Sequence, residues 1–195
     1  FGGFDVRVTG LPELHEVLDR QQGLLLCGSH LGSFEVLRVL ARQRPDYKIR
    51  VVLDKAHNAA VTQLLDALNP EIAASVIDAG QDGPSIAMAI KQATDEGALV
   101  ALLVERARPG EQAMKAPLLG SDAPFPTAPW LIASALKVPV VLAFGLYRGG
   151  HRYDLAFESF SDSIAVPRQQ RAQAVLALIQ RYAGRLEHYT RIAPY

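Results

Sequence analysis

Short runs of apolar residues recur along the chain, each bounded by glycine, proline or charged residues. Those with the length of strands are "GLLLCGS", "IRVVL", "ASVID", "ALVALLV" and "VPVVLAFGLY", followed by "RYDLAFESF". Most are apolar at consecutive rather than alternate positions, which is typical of strands covered on both faces, as in a largely parallel sheet.

Segments with helical periodicity lie between these runs, at residues 33–43, 57–68, 83–95, 125–137 and 167–189. Alternation of strands and helices predicts an α/β fold with a mostly parallel central sheet flanked by helices. The turn "RGGH" joins the last two runs and predicts an antiparallel hairpin near the C-terminus. Because no repeat or linker interrupts the pattern, we expect residues 1–195 to form a single domain.

The last helical segment is long and has two faces. Its apolar positions at helical spacing are Val175, Leu178, Ile179, Tyr182 and Leu186. We expect this face to pack in the core. Arginines around it leave a second interpretation open, a basic amphipathic surface resting on anionic lipid.

Composition narrows the possible partners. The chain has 20 basic and 20 acidic residues and a formal net charge of zero, so it lacks the cationic excess typical of nucleic-acid binding. Its longest apolar stretch is broken by Lys137 and Pro139, which argues against a membrane span. The single cysteine, Cys27, fits a reducing compartment, and we expect it to pack in the core rather than act as a nucleophile.

Candidate chemistry begins at "SHLGSFE", directly after the apolar "LLLC". On one continuous helix His30 and Glu35 would stand about 140° apart and about 7.5 Å along the axis, too far to touch. They can pair only if His30 precedes a helix and Glu35 lies in its first turn. The motif therefore predicts a strand, a turn and a helix.

In that arrangement Glu35 would hold one imidazole nitrogen of His30, and the other nitrogen could take a proton from a substrate hydroxyl. A backbone N–H at the helix start could then stabilise an oxyanion. An acidic residue at this spacing is also expected by chance in a chain with 20 of them, so the pair alone leaves a structural role open.

The wider pattern resembles a known family. "HLGSFE" resembles the His-x4-Asp/Glu signature of the lysophospholipid acyltransferase superfamily, and "GLLLCGSHLGSFE" is most similar to its bacterial lipid A biosynthesis acyltransferase branch. Three later blocks agree in order: "GALVALLVERARPGE", "APLLGSDAPFPTAPWLIASAL" and "VPVVLAFGLYRGGHRYDLAFE". Together they cover about residues 22–195.

The resemblance implies an acyltransferase-like fold with His30 as catalytic base and Glu35 as its partner. It also implies substrate-binding roles for residues of the later blocks: Glu105, Arg106, Gly120, Pro126 and Thr127. Structural roles are open for several of them. Glu105 and Arg106 could form an ion pair, Thr127 could cap a helix, and Gly120 could serve only its turn.

The same resemblance implies the reaction partners. The donor would be an acyl carrier protein or coenzyme A thioester, and the acceptor a hydroxyl of a lipid-like or hydrophobic molecule. Transfer would need no cofactor, and no cluster of His, Cys and carboxylates at metal-ligand spacing is present in the sequence. We expect peripheral association with the cytoplasmic face of the inner membrane.

The chain departs from the family pattern at three positions. Glu105 stands where Asp is common, Ala128 where a Gly follows Pro-Thr, and Leu118 where a Phe precedes Leu-Gly. We expect none of the three to touch His30 or Glu35.

Other functions are open at this point. A non-catalytic module that binds lipid or acyl carrier protein could share the fold, and an N-acyltransferase could act on an aminolipid. A serine hydrolase is disfavoured because "CGSHLG" lacks the Gly-x-Ser-x-Gly elbow.

Overall fold

The computed structural model describes residues 5–30, 44–57, 59, 63 and 76–194. Nine strands lie in these ranges: β1 (Asp5–Thr9), β2 (Leu24–Gly28), β3 (Ile49–Leu53), β4 (Ile77–Asp78), β5 (Leu99–Leu103), β6 (Ala113–Leu118), β7 (Ser121–Pro126), β8 (Val140–Tyr147) and β9 (Arg152–Ser161). The α-helices in the same ranges are α1 (Leu11–Asp19), α2 (Gly83–Asp95), α3 (Ala128–Leu136) and α4 (Arg171–Ile192), and a 3-10 turn, Arg168–Gln170, precedes α4.

Seven strands form one sheet in the order β1-β9-β8-β2-β5-β3-β4. Every neighbouring pair is parallel except β8 and β9, which form the antiparallel hairpin near the C-terminus. The predicted fold class is confirmed. Strands β2, β3, β4, β5 and β8 run in one direction, and we call the side of the sheet where they end the C-terminal side.

The two faces of the sheet are both covered, and β2 shows why its sequence is continuously apolar. Leu25 and Cys27 belong to a core with α2, α3 and α4, whereas Leu24 and Leu26 belong to a second core with α1. Because side chains alternate between faces along a strand, only an unbroken apolar run can fill both cores.

The local start of α2 follows from its sequence. Asp82 is the N-cap, and its carboxylate accepts hydrogen bonds from the backbone N–H of Ser85 at 3.0 Å and the Ser85 hydroxyl at 2.7 Å. Pro84 lies in the first turn, where a missing N–H costs little. The helix spans residues 83–95 as predicted.

The last helix packs by its apolar face. Its buried residues are Val175, Ile179, Tyr182, Ala183, Leu186 and Tyr189. Core packing is therefore confirmed for the face that the sequence predicted. No described helix is both long enough and apolar enough to cross a membrane.

Several elements differ from the prediction. Strand β1, helix α1 and the two-stranded sheet of β6 and β7 were not expected, and the helix predicted from 125 begins instead at Ala128. Prolines and exposed polar residues in β6 and β7 hide the strand pattern, and β1 is a partly exposed edge strand. The predicted helix at 33–43 lies outside the described residues, as does most of the one at 57–68.

Candidate active site

His30 lies at the C-terminal side of the sheet, two residues beyond the end of β2. Ser29, between them, is buried, whereas the His30 side chain is 53% exposed. The ring is thus fixed at its base by a buried strand and open to solvent at its tip. This is the position at which open α/β sheets bind ligands.

Glu105 contacts His30. Strand β5 lies beside β2, and their parallel register pairs Gly28 with Leu103. His30 and Glu105 are each two residues further on, so continued pairing would place them opposite one another. The Glu105 Oε1 atom contacts His30 Nδ1, and it also accepts a hydrogen bond from the His30 backbone N–H at 3.4 Å.

This contact corrects one expectation. The sequence predicted that none of the three departures from the family pattern touches His30, and for Glu105 that is wrong. The reason is the strand order, which the sequence did not reveal. Glu35, the partner predicted for His30, lies outside the described residues.

The buried side chain of Tyr182 binds the end of β2 from the core. Its hydroxyl donates to the backbone carbonyl of Gly28 at 3.3 Å, and the Val104 N–H donates to the same carbonyl at 3.2 Å. Burial raises the pKa of Tyr182 well above its ordinary value, and the nearby Glu105 carboxylate adds to that effect. The phenol therefore stays protonated at neutral pH and remains a donor.

Arg106 is exposed beside Glu105, at the end of β5. The ion pair between Glu105 and Arg106 that the sequence left open is not formed. Glu105 contacts His30 instead, and Arg106 forms no ion pair within the described ranges. Arg108, two residues on, donates to the Ala79 carbonyl and lies 3.8 Å from Glu111 Oε2. Arg108 thus braces the loop, while the Arg106 guanidinium faces solvent.

A second histidine–carboxylate pair lies two strands away, after β3. His57 Nδ1 is 2.9 Å from Asp54 Oδ2, and the His57 backbone N–H donates to Asp54 Oδ1 at 3.1 Å. The backbone hydrogen bond from His57 is the main cause of the lowered pKa of Asp54. With its side chain 83% exposed, His57 belongs to a solvated loop.

A family model described as bacterial lipid A biosynthesis acyltransferase matches residues 4–187. The chain belongs to this family. None of the curated proteins compared with the chain matches it. Family membership makes the protein an acyltransferase that acts on a lipid-like acceptor, and we refer to it below as the acyltransferase.

The acyltransferase places its other candidate residues along the β6–β7 hairpin. Gly120 lies in the hairpin turn with φ +85°, next to Leu119, whose backbone N–H donates to Glu187 of α4 at 2.8 Å. Pro126 ends β7. The hydrogen bond from Leu119 to Glu187 therefore connects the hairpin turn with α4.

Thr127 occupies the N-cap position of α3, as predicted, but its side chain does not cap the helix. Its hydroxyl donates instead to the Gln112 carbonyl at 3.3 Å, and its N–H donates to the same carbonyl at 3.1 Å. Thr127 is buried, so within the described structure its role is to fasten β7 to the start of β6.

Sequence reasoning missed the contact of Glu105 with His30 and the support from Tyr182. A signal for the first exists, because both residues stand at the same offset from the end of a buried apolar run. It becomes informative only when the two runs are known to be neighbours.

Proposed function

We propose that the acyltransferase moves an acyl group from an acyl carrier protein or coenzyme A thioester to a hydroxyl of a lipid-like acceptor, with His30 as general base. The observation that supports this most is the half-exposed His30 ring with a carboxylate at Nδ1. If Nδ1 carries a proton and donates a hydrogen bond to this carboxylate, Nε2 holds a lone pair and can act as a base.

The reaction then needs no protein nucleophile. Nε2 of His30 takes the acceptor's hydroxyl proton as the oxygen attacks the thioester carbonyl carbon, which forms a tetrahedral oxyanion. The intermediate collapses with cleavage of the carbon–sulfur bond, and the imidazolium returns its proton to the thiolate that leaves. The products are the acylated acceptor and the free thiol of the donor.

Glu35 remains the acidic residue that the family signature pairs with His30, and the Glu35→Gln and Glu105→Gln variants described below decide which of the two carboxylates holds Nδ1. The resemblance that covers "HLGSFE" supports this role. We also propose that the helix predicted to follow His30 supplies a backbone N–H from its first turn to the oxyanion, since a donor in such a position would be pre-oriented.

Arg106 is proposed as an anion-binding residue of the substrate site. Its guanidinium is exposed beside Glu105, and such a group can bind a phosphate or carboxylate through two parallel hydrogen bonds. The roles that the resemblance implies for Gly120, Pro126 and Thr127 are proposed as shaping of the acceptor site by the hairpin and the start of α3.

The place of action is proposed as the cytoplasmic face of the inner membrane, with peripheral association. The lipid-like acceptor of the family supports this, because such an acceptor resides in a bilayer. A thioester donor made in the cytoplasm would then meet the acceptor at that surface.

A transfer assay tests the proposal. Radiolabelled acyl carrier protein and acyl coenzyme A are offered separately, with hydroxyl and amine lipids as acceptors in anionic vesicles. We expect transfer to a hydroxyl lipid, a loss of at least about 100-fold in His30→Ala, and near wild-type rates in the matched control His57→Ala. Sedimentation of the vesicles after the reaction shows whether the protein is bound to them.

Two outcomes would favour the other functions considered. Transfer only to amine lipids would indicate an N-acyltransferase. Tight binding of acyl carrier protein by wild type and His30→Ala alike, without transfer to any acceptor, would indicate a binding module. Unchanged transfer in His30→Ala would refute the role of His30.

A further inference from the structure

We propose that Glu105 is the positioning residue that fixes the tautomer of His30 with its proton on Nδ1. The proposal deepens and rests on the proposed function, in which Nε2 of His30 must be free to accept a proton. It assigns to Glu105 a role different from the substrate binding that the family resemblance implies.

The first argument is the double contact made by one oxygen. Glu105 Oε1 meets both the ring nitrogen Nδ1 and the backbone N–H of His30. An ionised carboxylate can only accept hydrogen bonds, so the ring nitrogen facing it must be the donor. The same oxygen restrains the backbone, which limits rotation of the whole residue.

The second argument is burial. The Glu105 side chain is 16% exposed, against 53% for His30, so the carboxylate is less accessible to solvent than the ring. A substrate that approaches the open side of the imidazole meets the ring rather than the carboxylate. This is the arrangement of a group that acts through another, and it fits positioning better than direct contact with substrate.

The third argument is an unsatisfied atom. Glu105 Oε2 is buried, and within the described part of the chain it has no hydrogen-bond partner. Buried polar atoms in native proteins are nearly always paired, because an unpaired one is unfavourable for folding. A carboxylate kept here despite this cost is more consistent with a role at His30 than with stabilisation of the fold.

The fourth argument is rigidity. The carbonyl of Gly28, two residues before His30, accepts from both Val104 on the strand beside it and Tyr182 from the core. The ends of β2 and β5 are therefore fixed relative to one another, and the pairing of these two strands sets the distance between His30 and Glu105. The side chain of Glu is one methylene longer than that of the Asp common in the family, and this extends its reach towards the neighbouring strand.

Nitrogen NMR of the imidazole tests the proposal without any substrate. The protein is labelled with 15N at its five histidines, and the His30 signals are identified by their absence in His30→Ala. At about pH 8.5, where an ordinary imidazole is neutral, we expect the shifts of the tautomer protonated on Nδ1. Free imidazole side chains favour the other tautomer, so a wild-type His30 protonated mainly on Nε2 would overturn the proposal.

Variants then assign the effect to Glu105. In Glu105→Gln we expect the population protonated on Nδ1 to fall, and kcat for acyl transfer to fall by at least about 10-fold with KM little changed. The matched control is Glu111→Gln, which alters another glutamate of the same loop, one that pairs with Arg108, and should keep the wild-type tautomer. An unchanged tautomer in Glu105→Gln would refute the assignment.

Glu35→Gln separates the two carboxylates. A change of tautomer in Glu35→Gln with none in Glu105→Gln would give the role to Glu35 instead. Far-UV circular dichroism establishes that each variant is folded before its spectrum is interpreted. Because the tautomer is read in the free protein, its result is independent of whether acyl transfer is observed.

Discussion

Cys27 illustrates how burial alone decides the chemistry of a residue. It lies in the middle of β2, is 2% exposed, and burial raises its pKa to about 12. The thiol is therefore protonated at neutral pH and packs as a small apolar side chain beside α2, α3 and α4. This agrees with the expectation from the sequence that Cys27 is not a nucleophile.

We expect Cys27 in the native acyltransferase to react very slowly with thiol reagents. With a pKa of about 12, about one thiol in 10⁴ is ionised at pH 8, and the residue is also shielded from solvent. The reaction is followed with a disulfide reagent that absorbs on release, in buffer and in urea. Cys27→Ala gives the blank, and equal rates in buffer and urea would contradict the prediction.

The same pKa shift makes stability depend on pH. The unfolded chain ionises this thiol above about pH 8.5, whereas the native protein keeps it protonated. The free energy of unfolding is therefore unaffected by this thiol below that pH. It falls progressively as the pH rises towards about 12, because the unfolded chain then ionises the thiol and the native protein does not.

At the scale of elements, polar contacts between α4 and β9 reinforce the apolar packing. Arg185 binds the Glu158 carboxylate with both Nε and a terminal nitrogen, at 2.8 and 2.5 Å, and the Tyr189 hydroxyl donates to the same carboxylate. Burial would raise the pKa of Glu158, but these hydrogen bonds outweigh it and the pKa is lowered. The helix that supports the strand end below His30 is thus fixed to the hairpin partner of β8.

Two glycines in different elements should respond in opposite ways to alanine. Gly10, between β1 and α1, has φ +73°, and a Cβ there would lie 1.9 Å from the Phe157 carbonyl oxygen. Gly184 lies within α4, where a Cβ would meet nothing within 4 Å. We expect Gly10→Ala to lower the free energy of unfolding by about 2–4 kcal/mol and Gly184→Ala to raise it by about 0.5–1 kcal/mol.

Urea unfolding at equilibrium measures both changes. The two variants serve as each other's control, because the substitution is the same and only its surroundings differ. A Gly10→Ala protein as stable as wild type would show that the junction of β1 and α1 can shift away from β9.

The sequence predicts an element correctly where local residues determine it, and misses an element that depends on strand pairing. Helix α2 was predicted over its full length because its cap, its proline and its apolar period are all local. Strands β6 and β7 were missed because their residues lack strand patterning, and only the turn at Leu119 and Gly120 and the pairing itself make them strands.

At the scale of the whole molecule, the sheet pairs an early segment of the chain with a late one. Strand β1 begins at Asp5 and pairs in parallel with β9, which ends at Ser161, so the first strand is added at an edge formed by one of the last. Both cores share the central strands β2, β5 and β8. Disruption of either core would therefore expose one face of the same three strands.

We expect the acyltransferase to unfold in a single cooperative transition, as the proposed single domain implies. Trp130 is the only tryptophan and is 1% exposed, so its fluorescence reports on the core of α2, α3 and α4. Far-UV circular dichroism reports on the whole chain. The two urea curves should coincide, and separate midpoints would mean that parts of the chain unfold independently.

The sequence by itself determined the fold class, the strand that leads to His30 and the family, because apolar runs, helical periods and motif spacing are local patterns. Tertiary structure alone decided that β5 lies beside β2 and therefore that Glu105 reaches His30. Strand order depends on how separate apolar faces pack together, and residues 75 positions apart become neighbours only through that packing. Glu105, one of the three departures from the family pattern, is for this reason the carboxylate beside the candidate base.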